Sequence, residues 1–306
     1  MRCTAMLSAT VLAAASILSP LEISTAAENP DFRVNNADEF DSAQPSGAVP
    51  TWYAQFFGGS AAFCTGSLIA ESWVLTAKHC EGNVTKSINY NFASIKFGPD
   101  LSVSRTPDAM VEIDGADIML VHLSSPVTGM GIANFANWDD YTDATKTHYG
   151  VEKLKLPTKY MTTYSFGAGG YANTKAINKV FGQPVERSSD KWTVKFSFAS
   201  NDGKTNVYTG FQVKSVDSNT YKAGDSGGPT IDAAGTIMGI MAGGGGKDSS
   251  DKATISIIQT DQYNAIQDVL SGKTAYTVLT TAAAANNTAD PNQVVPPPRS
   301  GSSLFG

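Results

Sequence analysis

The octapeptide Lys222-Ala223-Gly224-Asp225-Ser226-Gly227-Gly228-Pro229 sets one small hydroxyl nucleophile, Ser226, inside a turn built almost wholly of backbone. The N–H groups of Gly224 and Ser226 can converge on one point, the arrangement that stabilises an oxyanion developing in acyl transfer. Gly227 and Gly228 carry no Cβ and so permit turn geometry and close strand approach. A serine hydroxyl is a weak nucleophile unaided, so it needs a base within reach and a third group to orient that base. The sequence offers three histidines, His79, His122 and His148. His79, in Leu75-Thr76-Ala77-Lys78-His79-Cys80, has a context the other two lack. For the orienting acid, Asp117 directly precedes the apolar run Ile118-Met119-Leu120-Val121, while Asp108 and Asp114 compete with it. An acid entering such a strand is buried and requires a partner.

Taken together, the three segments resemble the His, Asp and Ser motifs of the chymotrypsin-like (trypsin family) serine proteases, which carry the triad in this chain order. The separations, 38 residues from His79 to Asp117 and 109 from Asp117 to Ser226, suit His and Asp on one β-barrel and Ser on the next. The resemblance spans roughly residues 34–272. It implies an all-β fold of two six-stranded antiparallel β-barrels with a C-terminal helix. It implies that His79 is the general base, Asp117 its orienter and Ser226 the nucleophile, with the Gly224 and Ser226 amides as oxyanion hole. No metal or organic cofactor is expected, and the partners are protein or peptide substrates and protein inhibitors. By the same resemblance, Ala242-Gly243-Gly244 is the edge strand that pairs with an extended substrate, although Trp is usual where Gly243 stands. Thr220, six residues before the nucleophile, occupies the position that usually sets primary specificity. It is not an acid, so cleavage after Arg or Lys is not expected, and Tyr221 beside it narrows the pocket toward small or medium apolar residues. Lys78 replaces the small residue usual before the catalytic His. A surface position is expected for it, since a cation facing His79 opposes imidazolium formation.

The elements that must position these residues read as strands. Short β-rich runs at 51–57, 61–69, 72–76, 87–97, 110–113 and 118–123 are separated by turn residues, with Gly58-Gly59 as a hairpin turn. The second half repeats the style at 160–166, 191–197, 211–215, 229–231, 236–241 and 253–259. Such spacing argues for an all-β barrel or sandwich. No β-α-β alternation is visible, which weighs against a hydrolase whose serine sits on a strand-to-helix elbow. Residues 262–270, with Ile266, Val269 and Leu270 on one face, read as a helix.

The chain opens with Arg2, an apolar run over residues 5–18 and small residues before Glu28, a secretory signal pattern that assigns 1–27 to a signal peptide. Its apolar core is too short for a membrane span, and no other stretch approaches that length. Export makes the product secreted or extracellular, with cell-surface association open. Residues 28–33 read as a pro-segment. In the resembling family, cleavage after a basic residue frees an apolar N-terminus whose ammonium pairs with the acid before the nucleophile. Here that implies cleavage between Arg33 and Val34 and pairing with Asp225, while an ordinary disordered leader is the alternative. The protease domain covers 34–272. Residues 273–306, rich in Ala, Thr, Asn, Ser and Pro, cannot bury a core and form a low-complexity tail.

Composition fits an exported globular protein: 42% of residues are hydrophobic, 16% are charged and the formal net charge is -6. That balance argues against nucleic acid as a partner, since its phosphates require a basic face. A monomer is expected. Of the three cysteines, Cys3 leaves with the signal peptide, so Cys64 and Cys80 are the one pair left in the mature chain. Closing their loop contributes about 3 kcal/mol in the chain-entropy model. The pair matches the family's disulfide beside the catalytic His, and the absence of further bridges resembles bacterial-type members. Asn83-Val84-Thr85 and Asn286-Asn287-Thr288 fit the N-glycosylation pattern. Two other readings keep the same fold: a non-catalytic binding or adhesion module, and an esterase using the same triad.

Overall fold

The computed structural model describes residues 49–59, 61–82, 84, 93–139, 161–165, 177–185, 193–199, 205–216, 219–222, 224–232, 234–243 and 251–276. Among them the strands form two seven-stranded antiparallel sheets. The first holds β1 (Tyr53–Gly58), β2 (Ala61–Ala70), β3 (Trp73–Thr76), β4 (Ala93–Phe97), β5 (Val103–Arg105), β6 (Pro107–Ile113) and β7 (Ile118–Leu123), in the order β5-β4-β1-β2-β3-β7-β6. The second holds β8 (Met161–Ser165), β9 (Asn178–Pro184), β10 (Thr193–Ala199), β11 (Thr205–Ser215), β12 (Pro229–Ile231), β13 (Ile237–Gly243) and β14 (Lys252–Ile257), in the order β10-β11-β14-β13-β12-β8-β9. Because β9 also pairs with β11, six of these strands close into a ring and β10 lies outside it. A helix, α1 (Thr260–Leu270), follows β14.

Burial explains which runs became strands. In β4 the order Ala-Ser-Ile-Lys-Phe alternates buried with half-buried positions, the period of a strand with one face on the core. In β1, β2 and β3 nearly every residue is buried, so alternation is lost and the runs read as almost continuously apolar. Phe56, Leu68, Leu75, Phe97 and Ile118 of the first sheet share one core cluster with Tyr164, Ile231 and Ile240 of the second and with Ile266 and Val269 of α1. The two sheets and the helix therefore bury a common apolar volume. A smaller cluster is specific to the second sheet and its flanks, with Trp138 stacked on Phe211 at 4.9 Å between ring centroids.

The antiparallel all-β architecture and the C-terminal helix match the sequence reading, but each sheet has seven strands where six were expected. Among the described residues the first sheet stays open, its ends at β5 and β6 unpaired with each other. Strands β5 and β9 were not foreseen. β5 is three residues long, too short to carry a period, and β9 contains Asn, Lys, Gly, Gln and Pro, held as a strand by pairing with β8 and β11 rather than by propensity. The run expected at 87–97 is described only over Ala93–Phe97.

Candidate active site

Two neighbouring strands of the first sheet bring His79 and Asp117 together. β3 and β7 pair with Thr76 opposite Met119, so the residue segments leaving the end of one and entering the start of the other lie side by side. After Thr76 the chain turns through a 3-10 turn, Lys78–Cys80, that carries His79, and Asp117 immediately precedes Ile118. A disulfide joins Cys80 of this turn to Cys64 of β2. Asp117 is buried, 1% exposed, and grips His79 twice: its Oδ1 accepts the His79 backbone N–H at 2.9 Å and its Oδ2 lies 2.7 Å from Nδ1. On the other side of the ring, Nε2 is 2.7 Å from Ser226 Oγ. The Asp117 backbone N–H donates to Ser256 Oγ on β14 at 3.3 Å.

Burial alone pushes the His79 imidazole pKa down, because it disfavours the charged ring. The Asp117 carboxylate, through its charge and its hydrogen bond, more than offsets this, and the net direction is up from the ordinary histidine value.

The nucleophile turn belongs to the second sheet yet is anchored on the first. Ser226 precedes β12, and its carbonyl accepts the Thr65 N–H from β2 at 2.8 Å. Gly227 has φ +81, and a Cβ there would collide with the Thr65 carbonyl oxygen and the Thr76 hydroxyl, which itself donates to Thr65 O at 2.7 Å. Only glycine fits both the conformation and the space. The turn ties its own amides inward: Asp225 N–H to Lys222 O at 3.2 Å, Gly228 N–H to Asp225 O at 3.0 Å and Gly227 N–H to Met241 O at 2.8 Å. Among the described residues, no protein acceptor is bonded to the N–H of Gly224 or of Ser226.

The competing acids are engaged elsewhere. Asp108 Oδ1 lies 2.6 Å from His122 Nδ1, and Asp114 is exposed in the turn between β6 and β7, where its backbone carbonyl accepts Gln262 Nε2 from α1 at 3.0 Å. His148 falls outside the described residues. Lys78 forms an ion pair with Glu112 on β6. Burial lowers its pKa, and the hydrogen bond and charge of Glu112 outweigh that and raise it.

The remaining positions are distributed as follows. Asp225 is fully buried, and its Oδ2 accepts the Lys222 N–H at 2.7 Å; Arg33 and Val34 lie outside the described residues. Thr220 is half-buried just before the turn. Tyr221 is fully buried and packs in the second sheet's own cluster with Phe211, Val213 and Met238. Ala242 is buried and Gly243 half-buried at the end of β13, and Gly244 is outside the described residues. Ser256 was not anticipated: nothing in Ala253-Thr254-Ile255-Ser256-Ile257 marks one hydroxyl of a buried strand as a partner of Asp117.

Comparison with known proteins agrees with this fold. The family profile described as Trypsin matches residues 40–266. The chain is similar to Trypsin-10 of Gadus morhua, 27% identical over 199 residues that cover 60% of this chain and 71% of that protein. It is similar to Tonin of Rattus norvegicus, 30% identical over 206 residues that cover 59% of this chain and 70% of that protein. In fold it resembles human heparin binding protein, with a TM-score of 0.52 at 14% identity, covering 76% of this chain and 96% of that one.

Proposed function

The chain belongs to the trypsin family, and from that premise we propose that it is a secreted serine endopeptidase that hydrolyses peptide bonds through an acyl-enzyme on Ser226. One observation carries the proposal: the unbroken run of short contacts from Ser226 Oγ through His79 to Asp117, each 2.7 Å long. In this reading neutral His79 presents Nε2 as acceptor and holds Nδ1–H toward Asp117 Oδ2. As Ser226 Oγ attacks the peptide carbonyl carbon, its proton passes to Nε2, and Asp117 stabilises the imidazolium that forms. The carbonyl oxygen becomes an oxyanion, met by the Gly224 and Ser226 N–H groups. The imidazolium then gives its proton to the leaving amine as the C–N bond breaks, leaving the acyl group on Oγ. Water, deprotonated by His79, attacks that ester and releases the acid with Ser226 restored. The protein's own groups supply each proton transfer, so the mechanism calls on no cofactor.

The substrate reading is narrower. An extended peptide pairs with the chain at Ala242 and Gly243, where the lack of a bulky side chain leaves that wall of the cleft open. Thr220 supplies no negative charge, so small or medium apolar residues are favoured over Arg or Lys before the scissile bond. Tyr221 is packed in the core of the second sheet. The signal-like N-terminus supports export, and a monomer is the working state.

The test is labelling of the processed chain by a fluorophosphonate probe, with Ser226→Ala and His79→Ala as controls. Labelling that both substitutions abolish is the expected result. Wild-type chain that fails to label, before and after cleavage at Arg33, would instead favour a non-catalytic binding module; the -6 charge argues against a polyanion as its ligand.

A further inference from the structure

At the far end of the strands that deliver His79 and Asp117, the first sheet carries a second histidine–aspartate pair that no step above uses. Trp73 opens β3 and stands opposite His122 near the end of β7, whereas the catalytic residues adjoin the Thr76 and Ile118 ends. At about 3.3 Å per residue, the rise from Trp73 to Thr76 alone is about 10 Å. His122 Nδ1 lies 2.6 Å from Asp108 Oδ1 on β6, which fixes the ring. Its edge meets the Trp73 ring at 4.8 Å between centroids.

Into this corner comes the chain from beyond α1. After Leu270, the N–H groups of Lys273 and Thr274 both donate to the Asp268 carbonyl, at 2.8 and 3.2 Å, turning the backbone away from the helix axis. The Lys273 ammonium lies 3.0 Å from Asp268 Oδ1. Tyr276 then packs edge-on against Trp73, at 5.0 Å and 85° between planes, and over His122, at 4.9 Å. Its hydroxyl is 3.4 Å from His122 Nε2. Two ring contacts and a weak hydrogen bond converge on one exposed residue outside any helix or strand, where an unconstrained segment would make none.

We infer that Trp73, His122 and Asp108 form a docking site for Tyr276, a latch that holds residues 271–276, the segment after the helix, against the first sheet. The latch lies at the Trp73 and His122 end of β3 and β7, away from the Thr76 and Ile118 ends that adjoin His79 and Asp117. Geometry of packing, not catalysis, supports the latch, and it stands whether or not the chain turns over peptides.

Limited proteolysis with trypsin of the full chain bearing Ser226→Ala, which removes self-cleavage, tests it. The readout is the rate of cutting between Lys273 and Thr274, followed by mass spectrometry against cutting elsewhere in the domain. Cleavage there requires local opening, so its rate tracks how well the segment is held. Two aromatic contacts predict that Tyr276→Ala speeds this cut roughly tenfold. His122→Ala, which leaves the Trp73 contact in place, should speed it by a smaller factor, roughly threefold; the double variant should match Tyr276→Ala, and Tyr276→Phe, which keeps the ring, should stay near the parent. An unchanged rate in Tyr276→Ala, an increase spread equally over all sites, or additive effects of the two alanine substitutions would each overturn the latch.

Discussion

Asp117 is almost wholly buried and touches His79 at both its backbone and its ring, so in the proposed mechanism its charge governs when His79 can act as a base. The base works only when neutral, and the folded-state pKa of His79 is raised. Reaction of Ser226 with a fluorophosphonate should therefore be lost as pH falls through that raised value, with its acid limb displaced upward from the ordinary histidine value. Asp117→Asn removes the charge and the hydrogen bond that lift the value while leaving the burial that depresses it. Its limb should move to lower pH, and the plateau rate should drop by roughly four orders of magnitude, because the asparagine also favours the wrong tautomer. A rate–pH profile of both proteins checks the two effects together, and a limb that stays in place would show that Asp117 does not set the charge state of His79. At this scale much was legible: the residue types around Ser226 and His79 name their chemistry. The choice of Asp117 over Asp108 was harder, since either can sit beside a strand, and the structure separates them by giving Asp108 a histidine of its own, His122. Ser256 was invisible because a serine in an apolar strand signals nothing until the facing strand is known.

At the scale of elements, the nucleophile turn is shaped by the strands it lies against. β2 supplies both the Thr65 amide that holds the Ser226 carbonyl and the Thr65 oxygen that forbids a side chain at Gly227. Gly235, in the hairpin between β12 and β13, has a similar φ of +82 but has nothing within 4 Å of the position a Cβ would take. Alanine at either site bears the conformational strain, about 1 to 2 kcal/mol. Only at Gly227 does overpacking of a further 1 to 3 kcal/mol follow. Gly227→Ala should thus lower the denaturant midpoint clearly more than Gly235→Ala and should cut Ser226 labelling sharply, while Gly235→Ala labels normally. Equal losses in the two variants would mean that the contact with β2 does not shape the turn. The strands themselves were largely readable where side chains alternate or run continuously apolar, as in β4 and β2. β9 was not, because its two good strand formers, Val180 and Phe181, are flanked by Asn178, Lys179, Gly182, Gln183 and Pro184, and two neighbouring strands impose its shape.

At the scale of the whole molecule, the proposed catalytic group is split: His79 and Asp117 come from the first sheet and Ser226 from the second, and the 2.7 Å contact from His79 Nε2 to Ser226 Oγ across that divide demands that the halves keep register. The common core offers the means. Ile240 on β13 is fully buried in the cluster that holds Leu75 of β3 and Ile118 of β7, the strands adjoining His79 and Asp117. Ile266 of α1, reached only after the chain has left β14, packs into the same cluster. If the two sheets were separately stable, damage on one side would leave the other intact. A shared core predicts the reverse. Ile240→Ala removes buried methyl groups and leaves a cavity, at a cost of about 2 to 5 kcal/mol. That loss should appear equally in native-state amide exchange for the slowest amides of β3 and β7 and for those of β13 and β14, since all of them exchange through one global opening. Slow amides of the first sheet that keep their parent protection while those of the second lose it would show two independent folding units, and the alignment of His79 with Ser226 would then rest on local bonds such as Thr65 N–H to Ser226 O and Asp117 N–H to Ser256 Oγ.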